Sequence, residues 1–232
     1  MSIIGKGEGK SVKSVRADPF HGGIVKLILV RHGETIWNRD NRVQGLSDIA
    51  LTERGRKQVE HLARSLRNEK IDVILSSPLS RARETARTIN RYHGVAIELD
   101  DDLRELDVGD LDGLTFEEMR TRYREFLKQW TADPTSVTMP NGETLHELQV
   151  RAWRAIERII SGSKNAVVVS HNFTIMAIMC KMRDMHLSKM RKTGVEVASK
   201  TCVEIDGTTK KIIVFNDISH LDDETYGGGN WR

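Results

Sequence analysis

The stretch Ile24-Val-Lys-Leu-Ile-Leu-Val-Arg-His-Gly-Glu-Thr35 decides how the chain is read. Residues 24–30 are apolar apart from Lys26 and of strand length, the pattern of a strand buried on both faces. Thr52 then precedes a helix through about residue 68, with Val59, Leu62, Ala63 and Leu66 on one face and Thr52 placed to cap it. Residues 72–76 form a second short strand, and Pro78 is expected to open a helix running to about Tyr92. Residues 115–130 and 143–160 have the spacing of long amphipathic helices, separated by a surface loop at 131–142 that holds Pro134 and Pro140. A third buried strand at 166–169 leads into an apolar helix around 173–182. Segments 201–205 and 211–215 flank Gly207 as a terminal hairpin. Strands alternating with helices imply an α/β three-layer sandwich. Its sheet should be mostly parallel with an antiparallel C-terminal portion, and helices should cover both faces.

In such sheets ligands bind beyond the carboxyl ends of the strands, and three strands here end in polar residues suited to phosphate chemistry. The first delivers Arg31, His32, Gly33, Glu34 and Thr35. The second delivers Ser76 and Ser77, with Arg81 one turn later, and the third delivers Ser170, His171 and Asn172. If the strands are neighbours, two histidines and two arginines meet at one edge.

Composition narrows the alternatives. A chain of 232 residues with 38% hydrophobic and 30% charged residues has ordinary globular composition. No apolar run approaches the roughly 20 residues of a membrane helix. A formal charge of +3 with interspersed signs gives little support to nucleic-acid binding and fits a locally positive pocket for a small anion. The two cysteines, Cys180 and Cys202, lie in apolar segments and read as core residues, and the histidines lack metal-ligand spacing. Residues 1–23 carry no secretory pattern and are expected to be flexible, as is a tail at 221–232; a reducing cytoplasm is the expected location. The acidic run from Glu105 to Gly113 fails as an EF-hand. Placing Gly113 at the required glycine puts Val108 and Met119 at ligand positions.

The motifs resemble those of the histidine phosphatase superfamily, the phosphoglycerate-mutase-like group. The similarity begins with Leu29-Val-Arg-His-Gly-Glu-Thr35, Trp37-Asn38, Val43-Gln44-Gly45 and Leu51-Thr-Glu-Arg-Gly55. It continues through Ser76-Ser-Pro-Leu-Ser-Arg-Ala-Arg-Glu-Thr-Ala86, Leu103-Arg-Glu105, Gly142-Glu143-Thr144 and Ser170-His171, in the family's order over about residues 25–220. The resemblance implies that His32 is a nucleophile attacking phosphorus, that Arg31 and Arg81 hold the phosphoryl oxygens, and that His171 donates to the same group. It makes Glu105 the proton donor, with Asp107, Asp110 and Asp112 as rivals, and adds Asn38 and Gln44 as amide donors. Asn172 stands where the family usually has glycine and is a further substrate-side candidate. His220 reads as a structural histidine.

The resemblance further implies one domain at 24–220 with a helical cap segment at about 114–142. It implies hydrolysis of a small phosphorylated metabolite with no cofactor and no metal. Neither a nucleic acid nor a membrane is an expected partner, and nothing indicates an oligomer. Two other functions compete. Cofactor-dependent mutases carry Glu-Arg-His-Tyr-Gly where this chain has Glu105-Leu-Asp-Val-Gly109, together with an Arg-rich insert that is absent here. A non-catalytic phosphate-binding module would be expected to lose His32 or Glu105, and both are present.

Overall fold

The protein, a computed structural model, is described over residues 23–226. The expected flexible N-terminal segment, but for Gly23, and residues 227–232 of the expected tail lie outside the described residues. Six strands form one sheet: β1 Val25–Arg31, β2 Val73–Ser76, β3 Ala96–Leu99, β4 Ala166–Ser170, β5 Lys200–Asp206 and β6 Thr209–Asp217. Their spatial order is β3-β2-β4-β1-β5-β6. The four strands from β3 to β1 run parallel, whereas β5 and β6 are antiparallel to their neighbours.

The apolar run of β1 splits its side chains between two cores. Leu27 and Leu29 join Val168 of β4 and the helices α6 (Leu145–Ser161) and α7 (Asn172–Met182) on one face. Ile28 and Val30 join Val167, Val169 and the helices α2 (Glu53–Leu66) and α3 (Ser80–Asn90) on the other. Period-two alternation with both sides apolar is what a central strand between two helical layers requires. The remaining helices are short: α1 (Ile36–Arg39) follows β1, while α4 (Phe116–Arg122) and α5 (Arg124–Ala132) lie over a third core around Leu106, Met119 and Leu148.

Thr52 caps α2 as the sequence predicts, its hydroxyl accepting from Gly55 N at 2.9 Å. Other expectations need correction. The α3 helix begins at Ser80, leaving Pro78 outside it, because Leu79 stays extended and Ser80 N donates to Asp48 Oδ1 at 2.6 Å. The single helix expected over 115–130 is two, broken at Tyr123 (φ −126°, ψ 37°). Periodicity reports which side of a chain is apolar and does not detect one non-helical residue that keeps the face aligned. The loop at 131–142 is not confined to the surface, since Pro134 and Met139 are buried. Strand β3 has no counterpart in the sequence reading; it is an edge strand whose side chains are mostly exposed, so no apolar run marks it.

The stretch from Leu221 departs from the expected tail as far as Tyr226. Asp222 Oδ1 accepts from Thr225 N (2.9 Å) and Thr225 Oγ1 (2.6 Å), closing a turn that buries Thr225. The fully buried Gln58 donates through Nε2 to Thr225 O (2.8 Å) and accepts Glu34 N through Oε1 (2.9 Å). Deleting residues 221–232 strands the Gln58 donor inside the protein. Such a loss costs about 1–3 kcal/mol, to be read as a lower urea midpoint; an unchanged midpoint would show that this turn does not brace the fold.

Candidate functional site

Register brings the motifs together. Arg31 pairs with Ser170 across β1 and β4, and Ser76 pairs with Val169 across β2 and β4, so the three strands end level. The ladder continues one residue further: His32 N donates to Ser170 O (3.1 Å) and Ser77 N to Val169 O (3.0 Å). The chain leaves β1 towards the α2 layer and β4 towards the α7 layer. That divergence opens a crevice where two neighbouring parallel strands end.

His32 and His171 face each other there, both buried, with ring centroids 5.1 Å apart. His32 Nδ1 lies 2.7 Å from Gly33 O, and since a carbonyl only accepts, Nδ1 carries the proton and Nε2 keeps its lone pair. Arg81 Nε donates to His171 Nδ1 (3.2 Å), so His171 Nε2 holds its proton and donates to Ser77 Oγ (2.8 Å). Burial, then the charges of Arg81 and Arg31, holds the His32 imidazole well below its ordinary pKa of 6.5. His171 is lowered in the same way, by burial first and then by Arg81. Both rings are therefore neutral at physiological pH.

Arg81 is fully buried yet well held, donating through Nη1 to Ser47 O (2.7 Å) and through Nη2 to Gly45 O (2.8 Å). Burial lowers its pKa to about 10, which still leaves a cation at neutral pH. Asp112 orients those acceptors by taking Gly45 N (2.8 Å) and Ser47 N (2.9 Å) on its two oxygens. With its amide nitrogen donating to Thr35 Oγ1 (2.6 Å), Gln44 presents its oxygen to Arg81 Nε (2.7 Å) and Nη1 (3.0 Å). Asn38 Oδ1 closes a capping box with Thr35 at the start of α1, leaving its amide nitrogen without a partner among the described residues.

Arg31 donates through Nη1 to Val195 O (2.5 Å), while its buried Nε has no partner among the described residues. An unpartnered buried guanidinium N–H is a seat for an anionic oxygen. Asn172, the first residue of α7, accepts Val195 N on Oδ1 at 3.3 Å, so it ties the loop that holds Arg31. The same loop supports β1 through Ala198 N to His32 O (3.0 Å), and His220 Nε2 donates to Ala198 O (3.0 Å). That fixes a structural place for His220, whose pKa is lowered to about 4, chiefly by burial.

Glu105 is the one buried carboxylate of the acidic run. Its Oε1 accepts from Leu106 N (2.9 Å) and Thr174 N (3.2 Å), and Oε2 from Phe173 N (3.2 Å) at the start of α7. Burial pushes its pKa above 4.5 despite those N–H groups and the nearby Arg81 and Arg31. The rivals are engaged elsewhere: Asp107 with Gly109 N, Asp110 with Asn141, and Asp112 with the 45–47 loop. Glu34 is also buried but structural, bonded to Thr52 Oγ1 (2.7 Å) and paired with Arg54. A Cβ on Gly55 would lie 2.1 Å from Glu34 O, which explains the glycine.

Sequence reasoning missed the supporting roles of Thr174, Asp112 and the 195–199 loop, since each acts from a distant segment and none carries a local pattern. Ser77 stood inside a quoted motif without a role. Among the described residues no helix is long and apolar enough to cross a membrane, and no cluster of His, Cys, Asp and Glu could hold a metal ion.

A family model of the histidine phosphatase superfamily (branch 1) matches residues 27–218, and the chain belongs to that superfamily. It is 36% identical over 200 residues to phosphoserine phosphatase 1 of Hydrogenobacter thermophilus, spanning 85% of this chain and 95% of that protein. It is 35% identical over 205 residues to phosphoglycerate mutase-like protein 4 of Arabidopsis thaliana, spanning 85% and 87%. Among solved structures, Bacillus stearothermophilus YhfR superposes with a TM-score of 0.81 at 30% identity, covering 85% of this chain and all of that one.

The lowered imidazole pKa values have a consequence for stability. Folded values lie below the unfolded value of about 6.5, so the unfolded chain binds more protons and stability falls as pH drops below that point. His171→Gln removes one such group. Between about pH 7.5 and pH 5.5 its urea midpoint should fall less than that of the parent. Equal slopes would show that His171 is not held neutral by the fold.

Proposed function

We propose that this member of the superfamily is a phosphatase that hydrolyses small-molecule phosphate monoesters through a phosphohistidine on His32, with Glu105 as proton donor. The observation that carries this reading is the pinning of His32 Nδ1 on Gly33 O, which leaves a single ring lone pair, on Nε2, of an imidazole kept neutral by burial and the charges of Arg81 and Arg31. In-line attack forms the Nε2–P bond and breaks the bond from phosphorus to the ester oxygen, which takes the proton of Glu105. The Glu105 carboxylate then removes a proton from water as that water attacks phosphorus, freeing His32 and inorganic phosphate. Arg31 and Arg81 supply fixed positive charge for the equatorial oxygens, the groups on which charge spreads during transfer. The neutral His171 becomes a donor to them when its Nε2–H turns from Ser77 Oγ to the phosphoryl group. Arg31 Nε and the Asn38 amide nitrogen are donors free to take a ligand oxygen. The name of the Hydrogenobacter relative puts phosphoserine first among monoesters to be screened.

Brief reaction with a labelled monoester should place acid-labile, alkali-stable label on the protein and none on His32→Ala. Label retained by that variant would overturn the nucleophile assignment.

Glu105→Gln should slow an alkyl phosphate by about 10²–10⁴ while sparing p-nitrophenyl phosphate, whose leaving group needs no proton. Equal losses on the two esters would place the proton donor elsewhere.

A further inference from the structure

The Gly142-Glu143-Thr144 block is only partly explained by the helix it precedes. Thr144 caps α6 in a capping box with Glu147. Gly142 and Glu143 instead face the segment that carries Glu105. A Cβ on Gly142 would lie 2.2 Å from Asp107 O, so no larger residue lets the two backbones approach this closely. Glu143 N donates to Asp107 O (3.0 Å), and Glu143 Oε1 accepts Asp107 N (2.9 Å) in return.

Arg151 lies about two turns further along α6. It grips Glu143 with two prongs, Nε to Oε2 (3.0 Å) and Nη2 to Oε1 (2.5 Å). Its other three donors end on backbone carbonyls of the acid-bearing segment. Nη1 reaches Asp102 O (2.9 Å) and Arg104 O (2.7 Å), and Nη2 reaches Glu105 O (2.8 Å). A guanidinium has five N–H donors, and here all five are used on protein acceptors. Arg151 therefore has nothing left with which to hold a substrate.

We propose that Arg151, oriented by Glu143, is a positioning residue for Glu105, fixing the backbone from which the carboxyl reaches the leaving oxygen. This rests on the reading of Glu105 as proton donor. Three carbonyls converging on one site repel one another unless a cation of matching shape lies between them. Only a planar fork can serve three carbonyls and a carboxylate at once; a lysine ammonium has three donors and no plane. Ser170 Oγ to Leu103 O (2.8 Å) and Thr174 Oγ1 to Arg104 O (2.8 Å) hold the same segment from the β4 side. The segment is thus gripped by α6 and by the β4–α7 junction, and Glu105 sits between the two grips.

The test compares kcat and KM on glycerol phosphate and on p-nitrophenyl phosphate for the parent, Arg151→Ala, Glu105→Gln and the double variant. A displacement of the acid by about 1 Å is worth up to 10²-fold. Arg151→Ala should therefore lose about 10-fold to 10²-fold in kcat on the alkyl ester, keep KM and the aryl rate within a few fold, and add nothing to Glu105→Gln. Arg151→Lys should recover only part of the loss. Glu143→Gln, which keeps one carbonyl acceptor, should show the same selectivity at smaller amplitude and serves if Arg151→Ala does not fold. If Glu105→Gln is selective for the alkyl ester while Arg151→Ala or Glu143→Gln is not, or if the double variant is additive, the positioning role is wrong. If Glu105→Gln itself loses equally on both esters, the proton-donor reading fails and takes this inference with it.

Discussion

The parallel pairing of β1 with β4 is the constraint from which the site follows. Arg31 opposite Ser170 fixes His32 and His171 as the next residues on adjacent strands. Their rings then meet with centroids 5.1 Å apart, one residue beyond the end of each strand. A slip of one residue would send each strand's apolar set to the wrong helical layer. Two cores, one on each face, lock the register and through it the distance between the imidazoles. Stability and site geometry are thus set by the same contacts.

Charge buried in such a crevice is tolerable only where it is bonded. Arg81 illustrates this, since Gly45 O, Ser47 O and His171 Nδ1 give each of its three buried nitrogens an acceptor and leave the remaining Nη hydrogens for a ligand. Asp112 acts one step further out, turning the 45–47 loop so that its carbonyls face the guanidinium. What the protein leaves unbonded is correspondingly informative. The guanidinium of Arg31 is held by Val195 O, and its buried Nε is left without a partner among the described residues, where an anionic oxygen would complete it. Preorganisation of this kind costs no rearrangement at the moment charge develops.

Within the acidic run, environment rather than residue type separates the carboxylates. Glu105 is buried, and its pKa is raised by that burial. Asp107 and Asp110 serve local turns and contacts, and Asp112 serves the arginine loop. The same segment is clamped from behind by Arg151 and Glu143, so one short stretch joins both walls of the crevice.

The local order of the chain was legible in the sequence. Apolar strand-length runs marked β1, β2 and β4, Thr52 marked the start of α2, and the residues ending those strands marked His32, Arg81 and His171 as one group. These features depend on neighbours in the chain, and hydrophobic pattern reports them directly. Strand β3 escaped because an edge strand with exposed side chains has no such pattern. The break at Tyr123 escaped because the apolar face continues through it. The docking of Thr225 on Gln58, the tie from Asn172 to Val195 and the five bonds of Arg151 escaped for another reason. Each joins segments far apart in sequence, and a hydrogen bond between distant groups leaves no periodic trace in either one. Sequence alone determined which residue types stand at the strand ends; tertiary structure decided which of them are buried, which nitrogen keeps its lone pair and which carboxylate can hold a proton, because those properties depend on what packs around each group.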